Sequence, residues 1–245
     1  MGQILAFVSG KGGTGKTSVC GGVAACLAAE GFRVLCIDCD VGLRNLDLAL
    51  GMSDTASIPF TSVMSKEYSA QQIPEHPSVP GLFLLTAPVS FDASSPLRRD
   101  FRFMTERLRE DFDYILIDAP AGVGENVITS CNAADRVIVV CNSDPSSLRD
   151  ASSVSALLGD RPAGATRLVV NRVVPKMLKK MRLTLDDVID ETGLALLGIV
   201  PEDPSVPYAA LEGLPLALYT GKGAARACLN ISRRIRGLSV PLMRI

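Results

Sequence analysis

The sequence predicts an α/β fold, a single mostly parallel twisted sheet of seven to eight strands with helices on both faces. Short apolar runs rich in Val, Ile and Leu recur along the 245 residues, each bounded by turn residues. Such continuous apolar runs are typical of strands that are buried on both faces. Segments with helical periodicity separate the runs. Polar motifs follow several of the runs, as expected at the carboxyl ends of parallel strands, where ligands bind. Together these observations predict alternating strands and helices.

Seven runs have the length and composition of buried strands. The first run precedes a glycine-rich segment, and the fourth ends in an acidic residue. The predicted strands are Gln3 to Val8, Arg33 to Asp38, Leu82 to Thr86, Tyr114 to Asp118, Arg136 to Cys141, Arg167 to Asn171 and Leu196 to Val200.

Helix start signals lie between the predicted strands. A helical pattern runs from about Lys16 to Ala29. Asp144 places a capping carboxylate before a proline at the first helical position, and Thr184 with Asp187 resembles a capping box. Residues 52–80 contain four prolines among polar residues, and we predict an irregular segment with one short helix there.

The composition indicates one globular domain. Hydrophobic residues make up 47% of the chain, which is long enough for a large core. The formal net charge of −1 gives no general argument for nucleic-acid binding. Seven irregularly spaced cysteines and an N-terminus without a signal peptide predict a cytoplasmic location. No apolar run reaches the roughly 18 residues that span a bilayer. We expect a domain of residues 1–237 and a short tail of residues 238–245.

The segment after the first predicted strand has the pattern of a phosphate-binding loop. Gly10, Gly15, Lys16 and Thr17 satisfy G-x-x-x-x-G-K-[ST] between a strand and a helix, as the mechanism requires. Glycines let backbone N–H groups surround phosphates, and the helix N-terminus favours the anion. We therefore predict a P-loop NTPase in which Lys16 reaches the β- and γ-phosphates and the Thr17 hydroxyl binds Mg²⁺.

Acidic residues end two other predicted strands. Asp118 follows an apolar run and suits a carboxylate that acts on Mg²⁺. Asp38 and Asp40 end the strand that follows the first helix, and either of them could face the γ-phosphate. A single aspartate at a strand end is often a cap or turn residue, but three of them beside a complete P-loop favour a nucleotide and metal site.

Further motifs resemble the deviant Walker A ATPases, the family that contains MinD and ParA, and among these the MinD type most. The loop reads Lys-Gly-Gly-Thr-Gly-Lys-Thr from residue 11, and residues 38–47 read Asp-Cys-Asp-Val-Gly-Leu-Arg-Asn-Leu-Asp. Residues 118–122, 146–150 and 201–203 read D-A-P-A-G, S-S-L-R-D and P-E-D. The resemblance covers about residues 3–237.

The resemblance implies roles for individual residues. Lys11 would touch the phosphates of ATP bound to a second subunit, and Asp40 would orient the attacking water. Asn171 would hydrogen-bond adenine. The implied catalytic residues are Lys11, Lys16 and Asp40. The implied ATP-binding residues are Gly10, Lys11, Gly12, Gly13, Thr14, Gly15, Lys16, Thr17, Ser18, Asp118, Asn171, Arg172, Pro201, Glu202 and Asp203. The implied Mg²⁺ residues are Thr17, Asp38, Asp40 and Asp118.

The resemblance also implies a function. The protein would hydrolyse ATP, cycle between an ATP-bound homodimer and a monomer, and position the division septum with MinC-like and MinE-like partners at an anionic membrane surface. A ParA-like partition ATPase, whose ATP dimer binds DNA through the basic C-terminal helix, is the alternative. A metabolic relative such as an amidoligase or dehydratase is a third possibility, but no extra catalytic domain is visible.

Cys36 and Cys39 form a C-x-x-C pair, a spacing found in redox and metal sites. Residues three apart on a strand point to opposite faces, and no second pair completes a four-thiolate site, so we expect buried structural cysteines. His76 is the only histidine, and we expect it on the surface.

The C-terminus is basic. Residues 222–245 contain six basic residues and no acidic one. Cys228, Ile231, Ile235 and Leu238 lie at helical spacing. This stripe either packs on the sheet, with a disordered tail, or forms a weak membrane anchor. Pro241 opposes a continuous helix in the tail.

Overall fold

A computed structural model describes residues 1–41, 44–88, 97–159, 161–162 and 164–243, and for residues 97 and 98 it describes the backbone only. Gly42 and Leu43 of the motif at residues 38–47 lie outside the described residues, as do Arg244 and Ile245 of the tail.

The centre of the molecule is one sheet of seven parallel strands, which confirms the predicted fold class. Each predicted strand is present, with ends shifted by at most three residues. The strands are β1 (Gln3–Ser9), β2 (Val34–Asp38), β3 (Leu82–Leu85), β4 (Tyr114–Ala121), β5 (Arg136–Asn142), β6 (Thr166–Val173) and β7 (Leu196–Pro201), in the order β3-β2-β4-β1-β5-β6-β7.

Helices cover both faces of this sheet. They are α1 (Lys16–Ala29), α2 (Leu46–Leu50), α3 (Phe60–Met64), α4 (Leu97–Leu108), α5 (Glu125–Ala133), α6 (Pro145–Leu158), α7 (Pro175–Met181), α8 (Leu185–Thr192), α9 (Ser205–Leu211), α10 (Leu216–Tyr219) and α11 (Gly223–Ile235).

Alternation along β1 creates two hydrophobic cores. Ile4 and Ala6 point to the core under α4, α5 and α6, whereas Leu5 and Phe7 point to the core under α1 and α11. Because successive side chains of a strand face opposite sides, a strand covered on both sides must be apolar throughout. This requirement explains why the strands could be located in the sequence.

Local capping signals form as predicted. The Asp144 carboxylate accepts a hydrogen bond from the Ser147 N–H at 3.0 Å, and Thr184 and Asp187 form a capping box at the start of α8. The segment at residues 52–80 contains α3 and one 3₁₀ turn, Ala70–Gln72.

The prediction for His76 was wrong. The residue is 5% exposed, and its Nδ1 accepts hydrogen bonds from the N–H groups of Ser78 and Val79. Nε2 therefore carries the proton and donates to the Leu50 carbonyl at 2.9 Å. A prolyl-rich loop is usually exposed, but here it folds around the imidazole, which supplies the loop with hydrogen-bond partners.

The apolar stripe of the C-terminal helix packs inside the molecule. Cys228, Ile231 and Ile235 are buried against α1 and β7, whereas Leu238 is 46% exposed. The tail is not helical through residue 243, and the Arg234 guanidinium donates to the carbonyls of Val240 and Pro241. Within the described part of the chain, none of the helices has the length and apolarity needed to cross a bilayer.

Candidate nucleotide site

The glycine-rich loop lies between the end of β1 and the start of α1. Gly13 and Gly15 both have φ of +80°, a conformation that side chains with a Cβ rarely adopt. The loop opens onto a cleft of about 500 Å³ at the carboxyl ends of the strands. This is where ligands of parallel sheets bind. The predicted site residues that line the cleft are Gly12, Gly13, Thr14, Gly15, Lys16, Thr17, Ser18, Asp40, Asn171, Arg172, Pro201, Glu202 and Asp203.

Neighbouring elements hold the loop closely. The Asn171 Nδ2 donates a hydrogen bond to the Thr14 carbonyl at 2.7 Å, and a Cβ on Gly15 would lie 2.3 Å from the same nitrogen. At the other end of the loop, a Cβ on Gly10 would lie 2.5 Å from the Asp150 carbonyl oxygen. Both glycines are therefore required by close packing.

Lys16, Thr17 and Asp118 meet at the start of α1. The Lys16 ammonium lies 2.5 Å from Asp118 Oδ1, and the Thr17 hydroxyl donates to Oδ2 at 2.7 Å. Asp118 is 1% exposed; this burial raises its pKa, while the nearby Lys16 charge opposes the rise. A hydroxyl and a carboxylate this close are the oxygen ligands that Mg²⁺ prefers, so the residues present fit the predicted ion.

Asp38 and Asp40 differ in their surroundings. Asp38 is 1% exposed, and its carboxylate accepts hydrogen bonds from the N–H groups of Asp40 and Leu46. Burial raises the pKa of Asp38 to about 6. Asp38 thus shapes the loop that carries Asp40, and Asp40 is the one of the two that lines the cleft. A role of either carboxylate toward Mg²⁺ stays a prediction.

Lys11 is next to Gly12 in the loop but is not among the residues that line the cleft. Its ammonium is 3.3 Å from Asp144 Oδ1 and 3.2 Å from the Ser146 hydroxyl, at the N-terminus of α6. Ser146 belongs to the S-S-L-R-D motif, so the structure brings two of the motifs from the sequence into contact. The Lys11 side chain is 35% exposed, so solvent reaches part of this ion pair.

The far end of the cleft is built by β6, β7 and α9. Arg172 has φ of +53° and lies 3.8 Å from the Glu202 carboxylate in a solvent-exposed pair. Unlike the exposed Glu202 carboxylate, the Asp203 carboxylate accepts hydrogen bonds from the N–H groups of Ser205 and Ala224. Asp203 therefore fastens α9 and α11 beside the cleft.

Several cleft residues escaped the sequence analysis. Four of them, Val206, Pro207, Ala210 and Leu216, are apolar and follow the P-E-D motif, and nothing in their local pattern distinguishes them from core residues. Two others, Asn45 and Leu48, lie within or directly after the motif at residues 38–47, and that position was the available signal.

The cysteine pair lies beside the site without lining the cleft. Cys36 and Cys39 are both buried, and burial raises the pKa of both thiols, which keeps them protonated at neutral pH. This agrees with the expectation of structural cysteines.

A parallel α/β sheet with a glycine-rich loop, a buried lysine and an acidic strand end defines a P-loop nucleotide-binding protein. The family model of the CobQ/CobB/MinD/ParA nucleotide binding domain matches residues 5–216. The chain belongs to this family and is an ATPase of the MinD type.

Individual relatives agree with this assignment. The chain is 33% identical to the septum site-determining protein MinD of Bacillus subtilis, covering 99% of this chain and 92% of the relative. A chain of the MinC:MinD cell division protein complex of Aquifex aeolicus superimposes with a TM-score of 0.89 at 30% identity, covering 99% of this chain and 98% of that chain. MinD complexed with Mg-ADP from Pyrococcus horikoshii gives a TM-score of 0.81 at 28% identity, covering 96% of each chain.

Proposed function

We propose that this ATPase positions the cell-division septum by pairing with a second copy of itself when ATP is bound and separating after hydrolysis. Relatives that match nearly its whole length are named septum site-determining proteins. The observation that carries the dimerisation step is the place of Lys11, whose ammonium is held at the start of α6 outside the cleft of its own chain.

Charge explains why Lys11 suits a second subunit. Lys16 already serves the phosphate end of its own cleft, and a lysine delivered by a partner neutralises γ-phosphate charge only when two subunits meet. Assembly then depends on the γ-phosphate, and hydrolysis weakens the contact. In the single chain, the Asp144 carboxylate pairs with the charge of the Lys11 ammonium, and the Ser146 hydroxyl accepts a hydrogen bond from it.

The other polar residues at the site would have separate roles in binding and hydrolysing ATP. The Thr17 hydroxyl and Asp118 would hold Mg²⁺, which would supply positive charge to the phosphates, and the Lys16 ammonium would bind phosphate. Asp40, which lines the cleft, would orient the attacking water. The glycine loop would donate its N–H groups to the phosphates.

Size-exclusion chromatography with light scattering tests the dimer. We expect Asp40→Ala to accumulate an ATP-dependent dimer because hydrolysis is slow. Adding Lys11→Ala should leave a monomer that still binds ATP, whereas adding Lys176→Ala, at an exposed lysine of α7, should leave the dimer intact. A dimer that survives the loss of Lys11 would reject the trans role.

The relatives and the C-terminal tail indicate which partners and which surface the protein would bind. A relative forms a MinC:MinD complex, so a MinC-like partner is expected here, and a MinE-like protein would stimulate hydrolysis. A peripheral contact with anionic membrane could use the exposed Leu238 and Leu242 in two copies. ATP-dependent liposome binding by the full chain, compared with a chain stopped at Gly237, tests this contact; equal binding removes the tail from it.

The charges of α11 argue against the DNA-binding alternative. Arg233 and Arg236 both pair with Glu30, and Arg234 donates to backbone carbonyls. Glu30 offsets part of the charge of Arg233 and Arg236, and the carbonyls occupy the donors of Arg234, so these three arginines have less to offer to phosphates. DNA binding that falls steeply with salt would restore the alternative.

A further inference from the structure

Helix α7 is an exposed, positively charged element that follows β6. All seven of its residues are at least partly exposed, and Leu178 packs against the core. Residues 161–185 contain seven basic residues and no acidic one. Four of these cations lie on α7 or directly after it, and within the described part of the chain none of the four is in an ion pair: Lys176, Lys179, Lys180 and Arg182. The fold therefore leaves their charge available to a ligand.

Two exposed methionines lie among these cations. Met177 is 55% exposed and Met181 is 36% exposed. They are four positions apart, so they lie on one side of the helix, and Lys176 and Lys180 form a second row beside them. Of its three large apolar side chains, α7 thus turns only Leu178 toward the core. A cationic row next to an apolar row is typical of helices that bind membrane surfaces.

The acidic residues that come next in the sequence belong to a separate helix. Arg182 ends α7 with φ of +53°, a left-handed conformation that redirects the chain. Helix α8 follows, with four acidic residues, one of which, Asp187, forms the capping box. This helix packs on the core through the buried Val188. Cations and anions are therefore sorted into two helices, and the cationic helix is the more exposed of the two.

We propose that α7 is a contact surface for a bilayer that contains anionic lipids. The proposal rests on the proposed function, in which the protein acts at a membrane, and it assigns a contact that does not involve the tail. The basic side chains lie at the lipid phosphates, and Met177 and Met181 enter the boundary between head groups and acyl chains. The methionines favour lipid over nucleic acid, because a phosphate backbone is bound by cations and polar donors and gains little from a thioether.

This contact lies at the opposite edge of the sheet from the tail. Helix α7 follows the carboxyl end of β6, whereas Arg234 holds the tail near the start of β7 by donating to the carbonyls of Leu197 and Val240. Strands β6 and β7 are parallel, so the end of one and the start of the other are at different edges. Removing the tail therefore leaves the α7 contact in place.

Co-sedimentation of the full chain with vesicles tests the charge. The vesicles contain equal parts of phosphatidylcholine and phosphatidylglycerol, at low ionic strength and without nucleotide. Replacing Lys176, Lys179 and Lys180 by glutamine should lower the partition coefficient by roughly 100-fold, about 5-fold for each lysine. The matched control removes the same charge from exposed positions of α4 and should lower it by less than about 3-fold; its substitutions are Arg99→Gln, Arg102→Gln and Arg107→Gln.

A second pair of variants tests the methionines at constant charge. Met177→Gln with Met181→Gln should lower vesicle binding by about 5-fold, because two apolar side chains no longer leave water. The control is Leu211→Gln with Leu218→Gln, at exposed apolar positions of α9 and α10, and it should bind vesicles like the wild type. Binding of the methionine variant to duplex DNA should also equal that of the wild type. Each loss should be the same in the full chain and in a chain stopped at Gly237.

The outcomes separate this proposal from the proposed function. Vesicle binding that is unchanged in the lysine variant, or reduced equally in the α4 control, would overturn the α7 contact. A methionine variant that binds vesicles like the wild type would also overturn it. A lysine variant that loses duplex DNA but keeps vesicles would assign α7 to nucleic acid instead. A protein that binds vesicles through α7 but forms no ATP-dependent dimer would contradict the proposed function and leave the α7 contact supported.

Discussion

Replacing Asp203 by alanine separates two interpretations of the P-E-D motif. The resemblance places Asp203 at the nucleotide base, whereas the structure places both carboxylate oxygens on backbone N–H groups, 2.9 Å from that of Ser205 and 2.8 Å from that of Ala224. Ala224 is 0% exposed, so its N–H would lose its partner in a position that water does not reach.

The size of the effect follows from these contacts. Loss of a capping carboxylate costs about 1 kcal/mol, and a buried donor left without a partner costs about 1–3 kcal/mol. Allowing for overlap between these contributions, Asp203→Ala should lower the free energy of unfolding by about 2 kcal/mol. For a domain of this size, that loss corresponds to a Tm lower by about 4–8 °C.

Thermal unfolding of the nucleotide-free protein, followed by circular dichroism, is the assay. Glu202→Ala is the matched control, because its exposed pair with Arg172 at 3.8 Å should contribute less than about 1 kcal/mol. Despite partial burial, the hydrogen bonds lower the pKa of Asp203. Its contribution is therefore present at neutral pH and is lost as pH falls through that lowered pKa. Equal Tm values for wild type and Asp203→Ala would refute the reasoning and favour a direct contact with the base.

Two other substitutions test the packing. Burial lowers the pKa of His76 below 6.5, so the unfolded protein binds more protons than the folded protein in mild acid. The free energy of unfolding should therefore fall as the pH drops from 7.5 to 5.5. His76→Gln should reduce this pH dependence, as measured by urea unfolding at both pH values. An identical pH dependence in the variant would show that the imidazole is not its source. Gly198→Ala should destabilise by about 1–3 kcal/mol, because its Cβ would lie 2.4 Å from Cγ1 of Ile231. The open site at Gly221 supplies the control, and equal denaturation midpoints for Gly198→Ala and Gly221→Ala would contradict the overpacking.

Features that depend on neighbours in sequence were predictable. Strands covered by helices on both faces must be continuously apolar, so all seven could be located. The phosphate loop and the caps at Asp144 and Thr184 use partners within a few residues, and each appears as expected. The family resemblance rested on such local motifs, and the comparisons confirm it.

The tertiary structure decided which partner each polar side chain takes. His76 reaches the Leu50 carbonyl, Asp203 reaches the N-terminus of α11, and Asn171 reaches the phosphate loop. Lys11 was recognised as unusual from its loop, but only the fold places its ammonium against Asp144 and outside its own cleft. A buried polar group must find a partner wherever the chain brings one, and a partner far away in sequence leaves no local pattern. The sequence by itself therefore determined the sheet and the phosphate loop, and the three-dimensional packing determined how the site around that loop is held.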